Sequence, residues 1–281
     1  MNEEDTLKFD IPTDAPRIIK VIGVGGGGGN AVQNMYREGI HNVSFVVCNT
    51  DSQALANSPI PSKVQLGEKV TEGLGAGNDP EVGREAAEES RAKIESLFND
   101  GTKMVFITAG MGGGTGTGAA PVIAAMAKKK GILTVGVVTI PFRNQGNETM
   151  SKAIDGINEL EKNVDSLLII NNEKLYDFYG DLLLQEAFPK ADEVLATAVS
   201  GITEIIKNRG HINVDFNDIR TMMRNSGMAL MGCGSGTGEN RIEDAVRSAL
   251  ESPLLNDFDL TTAKNVLLNI TVARSDQGMK M

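Results

Sequence analysis

Apolar residues in this chain come first in short, nearly unbroken runs. RIIKVIGV (17–24), VSFVVCN (43–49), MVFIT (104–108), LTVGVVTI (133–140) and SLLIINN (166–172) are rich in Val, Ile and Thr. Such runs are the mark of strands buried on both faces. Between them, AVQNMYREG (31–39), EVGREAAEESRAKIESLF (81–98), APVIAAMAKKK (120–130) and MSKAIDGINELEK (150–162) carry apolar residues at helical spacing. Strands alternating with helices predict an α/β unit over residues 17–180, with a doubly wound, mostly parallel sheet.

Past residue 180 the rhythm changes. Phe188, Val194, Leu195, Val199, Ile202, Ile205 and Ile206 recur at three- and four-residue steps, which predicts a long connecting helix over 181–209 ending at Gly210. Residues 210–281 then read as a smaller α+β unit: a loop (HINVDFND), a helix start (IRTMMRN), a strand (MALMGCG), a helix (RIEDAVRSALES) and a strand (NVLLNITVA). Two strands make a marginal sheet, so this unit reads as incomplete. Residues 1–16, MNEEDTLKFDIPTDAP, are polar and acidic and read as a loose tail, neither a secretory signal nor a transit peptide.

Composition narrows the function. The 281 residues hold 27 Lys+Arg against 37 Asp+Glu, a net charge of −10, and the one basic cluster, Lys128-Lys129-Lys130, fits the last turn of a helix. Nucleic acid is therefore excluded as a general partner. Two histidines are too few for a His-based metal site. Cys48 and Cys233, both within apolar stretches, read as reduced core thiols of a cytoplasmic protein.

The chemistry is concentrated in glycine. Gly112 to Gly118 contains five glycines and two threonines, after one predicted strand and at the start of a helix. There, bare backbone lets N–H groups approach phosphate oxygens, and an uncapped helix start favours an anion. Gly113, Gly114, Thr115, Gly116, Thr117 and Gly118 are the candidate phosphate ligands. A second loop, Gly23 to Asn30, follows the first strand and offers Gly26, Gly27 and Asn30. A third, GLGAGNDPEVG (73–83), offers Gly77. Asp51, closing the second strand, is either a carboxylate at the same edge or a helix cap. A P-loop with its lysine is absent from the sequence. Downstream, Asn213, Asp215 and Asp218 form an N-x-D-x-x-D spacing at a loop-to-helix junction, read either as a capping arrangement or as acids that orient water for attack on a phosphoryl group. The run Gly232 to Gly238 imitates a phosphate loop but reads as a structural turn.

GGGTGTG, together with VIGVGGGGGNAV, NTDSQAL, TEGLGAGNDPEVGREAAEES and NVDFNDIRTMM, resembles the tubulin/FtsZ family in order and approximate spacing from residue 17 to about 272. The resemblance implies a Rossmann-like GTP/GDP-binding domain, a central helix and a C-terminal domain. It also implies a head-to-tail homopolymer and a GTPase of bacterial cell division, cytoplasmic and located at midcell. Asn172 and Asp192 match positions that bind guanine, and Phe188 one that packs on the base. Mg²⁺ would be bound mainly through the phosphates rather than by protein ligands. Asn213, Asp215 and Asp218 would complete the pocket of the next subunit. Membranes would be reached only through adaptor proteins, whose usual docking peptide is absent from this sequence.

Family members carry PF-x-F-E-G and then basic residues where this chain reads PFRNQGNETM. Gln145 can still bond a ribose hydroxyl, but Thr149 supplies no cation. Weaker nucleotide retention or slower turnover is the expectation. Two other readings remain open: a nicotinamide-dependent oxidoreductase with Asp51 as the ribose acid, and a filament subunit that binds nucleotide without hydrolysing it.

Overall fold

The computed structural model describes residues 17–40, 42–174, 184–207, 214–251 and 263–272, with the side chains of the 184–207 helix described from 192 to 206. Its centre is a seven-stranded, all-parallel sheet: β1 (Ile19–Val24), β2 (Val43–Asn49), β3 (Ser62–Gln65), β4 (Met104–Gly110), β5 (Leu133–Ile140), β6 (Ser166–Asn171) and β7 (Gly227–Ala229), in the order β3-β2-β1-β4-β5-β6-β7. The five apolar runs form β1, β2, β4, β5 and β6. Helices are α1 (Gly25–Arg37), α2 (Ser52–Asn57), α3 (Glu68–Thr71), α4 (Pro80–Glu89), α5 (Arg91–Ser96), α6 (Thr115–Lys129), α7 (Asn147–Asn163), α8 (Leu184–Lys207), α9 (Phe216–Met223) and α10 (Arg241–Leu250).

Alternate residues of each strand feed two cores. Ile22, Val24, Val105, Ile107 and Ala109 face α4, α5, α6 and α7. Val21, Phe45, Met104, Phe106 and Val135 face α1, α8 and α9, meeting Val32, Leu195, Val199 and Ile219. The predicted connecting helix is thus also half of a core.

Three elements differ from the sequence reading. β3 was not expected, because in SKVQ only Val64 is buried and one apolar residue makes no pattern. MALMG, expected in the separate C-terminal unit, contributes β7 to the main sheet, with Ser166, Leu167 and Leu168 opposite Gly227, Met228 and Ala229. Its anchor is Asp165, which accepts the N–H of Gly227 on its carbonyl oxygen (3.1 Å) and that of Thr134 on its carboxylate (2.9 Å). β6 would otherwise leave a row of backbone groups unpaired. Residues 263–272, expected to hold a strand, have no ladder, and Val266, Leu268 and Ile270 are exposed. Alternation makes a two-faced segment, but a strand also needs a neighbour.

Cys48 is buried and Cys233 exposed, so only the first is a core thiol; burial pushes Cys48 up to about 12. Cys233 belongs to the Gly232–Gly238 run, which passes close over α10: a Cβ on Gly234 would overlap the carbonyl of Ala245, and one on Gly236 that of Arg241. These glycines permit a close helix contact at the surface.

Candidate functional site

Chain order reverses between β1 and β4, which lie side by side although β2 and β3 come between them in sequence. The loops beyond their carboxyl ends therefore diverge and leave a crevice, the place where open α/β sheets bind ligands. Both loops are glycine runs. They touch each other there: a Cβ on Gly27 would lie 3.2 Å from the Cα of Gly110.

Neither helix start at the crevice has a side-chain cap. α1 begins at Gly25 behind Val24, and α6 at Thr115 behind Gly114. Their first-turn N–H groups stay available, and the helix dipoles add partial positive charge. α2 and α4 at the same rim are capped, by Asp51 and Asp79. α7, which follows β5, also starts without a side-chain cap, behind Gly146; α1 and α6 are the uncapped starts that flank the crevice.

The expected residues fall into place unevenly. Gly26 and Asn30 line a cavity of about 240 Å³ between α1, the end of β2 and α2, together with Gln33, Asn49, Asn57 and Ser58. Gly113 and Gly114 meet the third loop, where the backbone N of Asp79 lies 2.9 Å from the Cβ position of Gly114. Gly77 belongs to that loop and has open space around it. Thr117 is buried, and its hydroxyl accepts the N–H of Gly112 (2.8 Å), so it closes the loop on itself. Thr115 shares a hydrogen bond with the Thr50 hydroxyl. Gly118 packs α6 on α4, since a Cβ there would overlap the carbonyl oxygen of Pro80.

Asp51 has the capping role. Its Oδ1 accepts from the N–H groups of Gln53 (2.8 Å) and Ala54 (3.0 Å). Gln145 is exposed in a short 3-10 turn, Arg143–Gln145, where its carbonyl accepts from the Thr149 hydroxyl (3.1 Å). Thr149 lies against Gly112, whose Cβ position is 2.7 Å from Thr149 Cγ2.

Beyond β6, at the same rim, Asn172 is buried and its Oδ1 has no hydrogen-bond partner. An orphaned buried acceptor costs about 1–3 kcal/mol unless a ligand supplies a donor. Asp192, on α8, has its carboxyl pushed up to about 6 by burial. Phe188 lies on the same helix, its side chain outside the described residues.

Asp215 and Asp218 stand elsewhere. They form a reciprocal capping box at the start of α9: Asp215 Oδ1 accepts from the N–H of Asp218 (2.9 Å), and Asp218 Oδ2 from that of Asp215 (3.1 Å). Both residues are exposed. The C-terminal end of α9 meets the sheet at its amino rim, where the Ser166 hydroxyl donates to the carbonyl of Met223 (3.0 Å), and Arg220, two residues past Asp218, lines a cavity there with Leu133 and Asp165. The glycine loops occupy the carboxyl rim, a strand's length of about 20 Å away. Asn213 lies outside the described residues. Among those residues, no three His, Cys, Asp or Glu are grouped to hold a metal ion, and no helix is long and apolar enough to cross a membrane.

Two contributors were missed by sequence reasoning. Thr50 is one: its hydroxyl role depends on Thr115, 65 residues away. Lys152, which reaches the third loop from α7, carried no pattern at all.

Residues 18–180 match the family described as "Tubulin/FtsZ family, GTPase domain". The chain belongs to the Tubulin/FtsZ family. Residues 227–280 match the FtsZ family C-terminal domain. "Cell division protein FtsZ" of Porphyromonas gingivalis is 53% identical over 277 residues, covering 98% of this chain and 60% of that protein. Its counterpart in Pseudomonas putida is 54% identical over 266 residues, covering 94% and 67%. The chain thus spans about three-fifths to two-thirds of the length of these FtsZ relatives. Among solved structures, an empty FtsZ dimer of M. jannaschii superposes with a TM-score of 0.80 at 46% identity, over 84% of this chain and 69% of that one.

Proposed function

We propose that this protein binds GTP at the carboxyl rim of its sheet and hydrolyses it only when another copy brings α9 to the phosphates, so that hydrolysis accompanies head-to-tail assembly. The single observation supporting this is the separation within one chain. The uncapped helix starts of α1 and α6 lie at one rim, and α9, whose first turn carries Asp215 and Asp218, meets the sheet at the opposite one through Arg220 and Met223. In this reading the acids serve another molecule's phosphates: stacking two copies along the strand direction brings one copy's amino rim to the other's carboxyl rim.

In this reading, backbone N–H groups of Gly26, Gly27 and Gly113–Gly118 hold the phosphates, helped by Asn30 and the Gly77 loop. Asn172 and Asp192 accept from the guanine edge, which carries donors where adenine does not, and Phe188 covers the base. Gln145 reaches the ribose. Asp215, Asp218 and Asn213 of the adjoining copy orient the attacking water. Mg²⁺ bound on the phosphates would neutralise charge as the terminal phosphoryl group departs. The orphaned Oδ1 of Asn172 fits a base that brings its own donor. A nicotinamide reading has no comparable support, because the matched family is a GTPase domain.

The test is GTP turnover per subunit against protein concentration. It should rise steeply as subunits associate, and Asp215→Ala mixed into the parent should depress the parent's own rate. A turnover per subunit that stays flat from dilute to concentrated protein would overturn the shared site.

A further inference from the structure

The 73–83 loop and the Gly112–Gly118 loop close on each other. Ala76 Cβ lies 2.8 Å from the Cβ position of Gly114, and Asn78 Oδ1 lies 3.9 Å from that of Gly113. α7 reaches this junction from the other side through Lys152. Its ammonium donates to the carbonyl of Asn78 (3.1 Å) and pairs with Glu148 Oε1 (2.7 Å). The side chain of Lys152 is only 25% exposed, that of Glu148 82%. The cation is therefore held in place, and its counter-ion is free to swing into water. Asn78 itself adopts the left-handed conformation (φ 61°), so the carbonyl that Lys152 grips belongs to a tight turn. Another cation on this side, Arg84, is exposed and bonded to Glu81 on its own helix.

We propose that Lys152 is the cation of the phosphate site. It stands one helical turn beyond Thr149, on the same face of α7, and with Glu148 as placeholder it keeps a positive charge at the junction of the loops. A triphosphate displaces Glu148 and takes the ammonium; a diphosphate, shorter by one phosphate, leaves the Lys152–Glu148 pair intact. Lys152 thereby makes the site prefer the triphosphate. This inference rests on the guanine-nucleotide reading above.

Equilibrium binding of GDP and of GTPγS to the parent, Lys152→Met, Lys152→Arg and Glu148→Gln tests it. Lys152→Met should weaken GTPγS about tenfold while leaving GDP within about twofold, because a charge-assisted contact is lost only with the longer ligand. Lys152→Arg should restore the preference, and Glu148→Gln should tighten GTPγS alone by a few-fold. Equal weakening of both ligands by Lys152→Met would mean that the residue only props the Asn78 turn, and no change in either would mean that it does nothing; both overturn the proposal. If Lys152→Met does not fold, the exposed Glu148→Gln decides, and unchanged GTPγS affinity there overturns it. A parent that binds neither nucleotide overturns the reading of the whole rim, and this inference with it.

Discussion

The hydroxyls of Thr50 and Thr115 lie 2.7 Å apart in the interior, tying the residue after β2 to the first residue of α6. Thr50 is wholly buried and Thr115 nearly so. This bond holds one uncapped helix start against the neighbouring strand end. Thr50→Val keeps the shape but leaves the Thr115 hydroxyl without its partner, and should cost about 1–2 kcal/mol. Urea unfolding checks it, and the Thr50→Val/Thr115→Val double variant should cost less than the sum of the singles.

Gly118 and Gly29 should respond oppositely to alanine. At Gly118 the new methyl meets the backbone of Pro80 in α4, which cannot move without shifting the third loop, so a loss of about 2–3 kcal/mol is expected. Gly29 lies inside α1 with nothing within 4 Å of its Cβ position. Alanine there should add about 0.5–1 kcal/mol. Denaturant midpoints of the two variants beside the parent give both signs in one experiment.

Lys20 is buried and donates to Asp100 Oδ2 (2.7 Å) and to the carbonyl of Leu97. Burial raises the Asp100 carboxyl, but the hydrogen bonds from Lys20 and Thr102 outweigh it and hold the group below its ordinary value of 3.8. A depressed folded-state value stabilises the protein above the unfolded value and is lost as pH falls through the folded one. Asp100→Asn should therefore cost stability at pH 7 and little near pH 2. Because Asp100 is half exposed, about 1–2 kcal/mol is expected rather than the full penalty of a buried pair. Unfolding free energies at the two pH values test the difference.

Asp192 has the opposite sign. Its folded value, about 6, stands above the unfolded 3.8, so in the free protein it favours folding below pH 4 and loses that contribution as pH rises through 6. Guanine donates two N–H groups along one edge, which requires the ionised carboxylate. GDP affinity should fall as pH drops below about 6, by up to tenfold per unit, and Asp192→Asn should bind weakly at pH 7.5 with a flattened profile. Dissociation constants between pH 5 and 8 decide it.

Where sequence and structure part company, the cause is contact across distance. The glycine runs and the five long strands were readable because each announces itself locally, through backbone without side chains or through apolar residues in unbroken order. Asp51, Asp215 and Asp218 were readable as residue types but not as roles. Capping and phosphate chemistry use the same carboxylate at the same kind of junction, and only hydrogen-bond partners separate them.

Local pattern alone determined the α/β class, the glycine-lined edge and the long helix before α9. Tertiary structure decided that MALMG completes the main sheet, that Gly118 serves a helix crossing as well as a loop, that Lys152 stands at the third loop, and that α9 meets the sheet at its amino rim. Strand pairing, close backbone approach and the side of a sheet on which a residue emerges are set by partners far away along the chain, and no local periodicity encodes them.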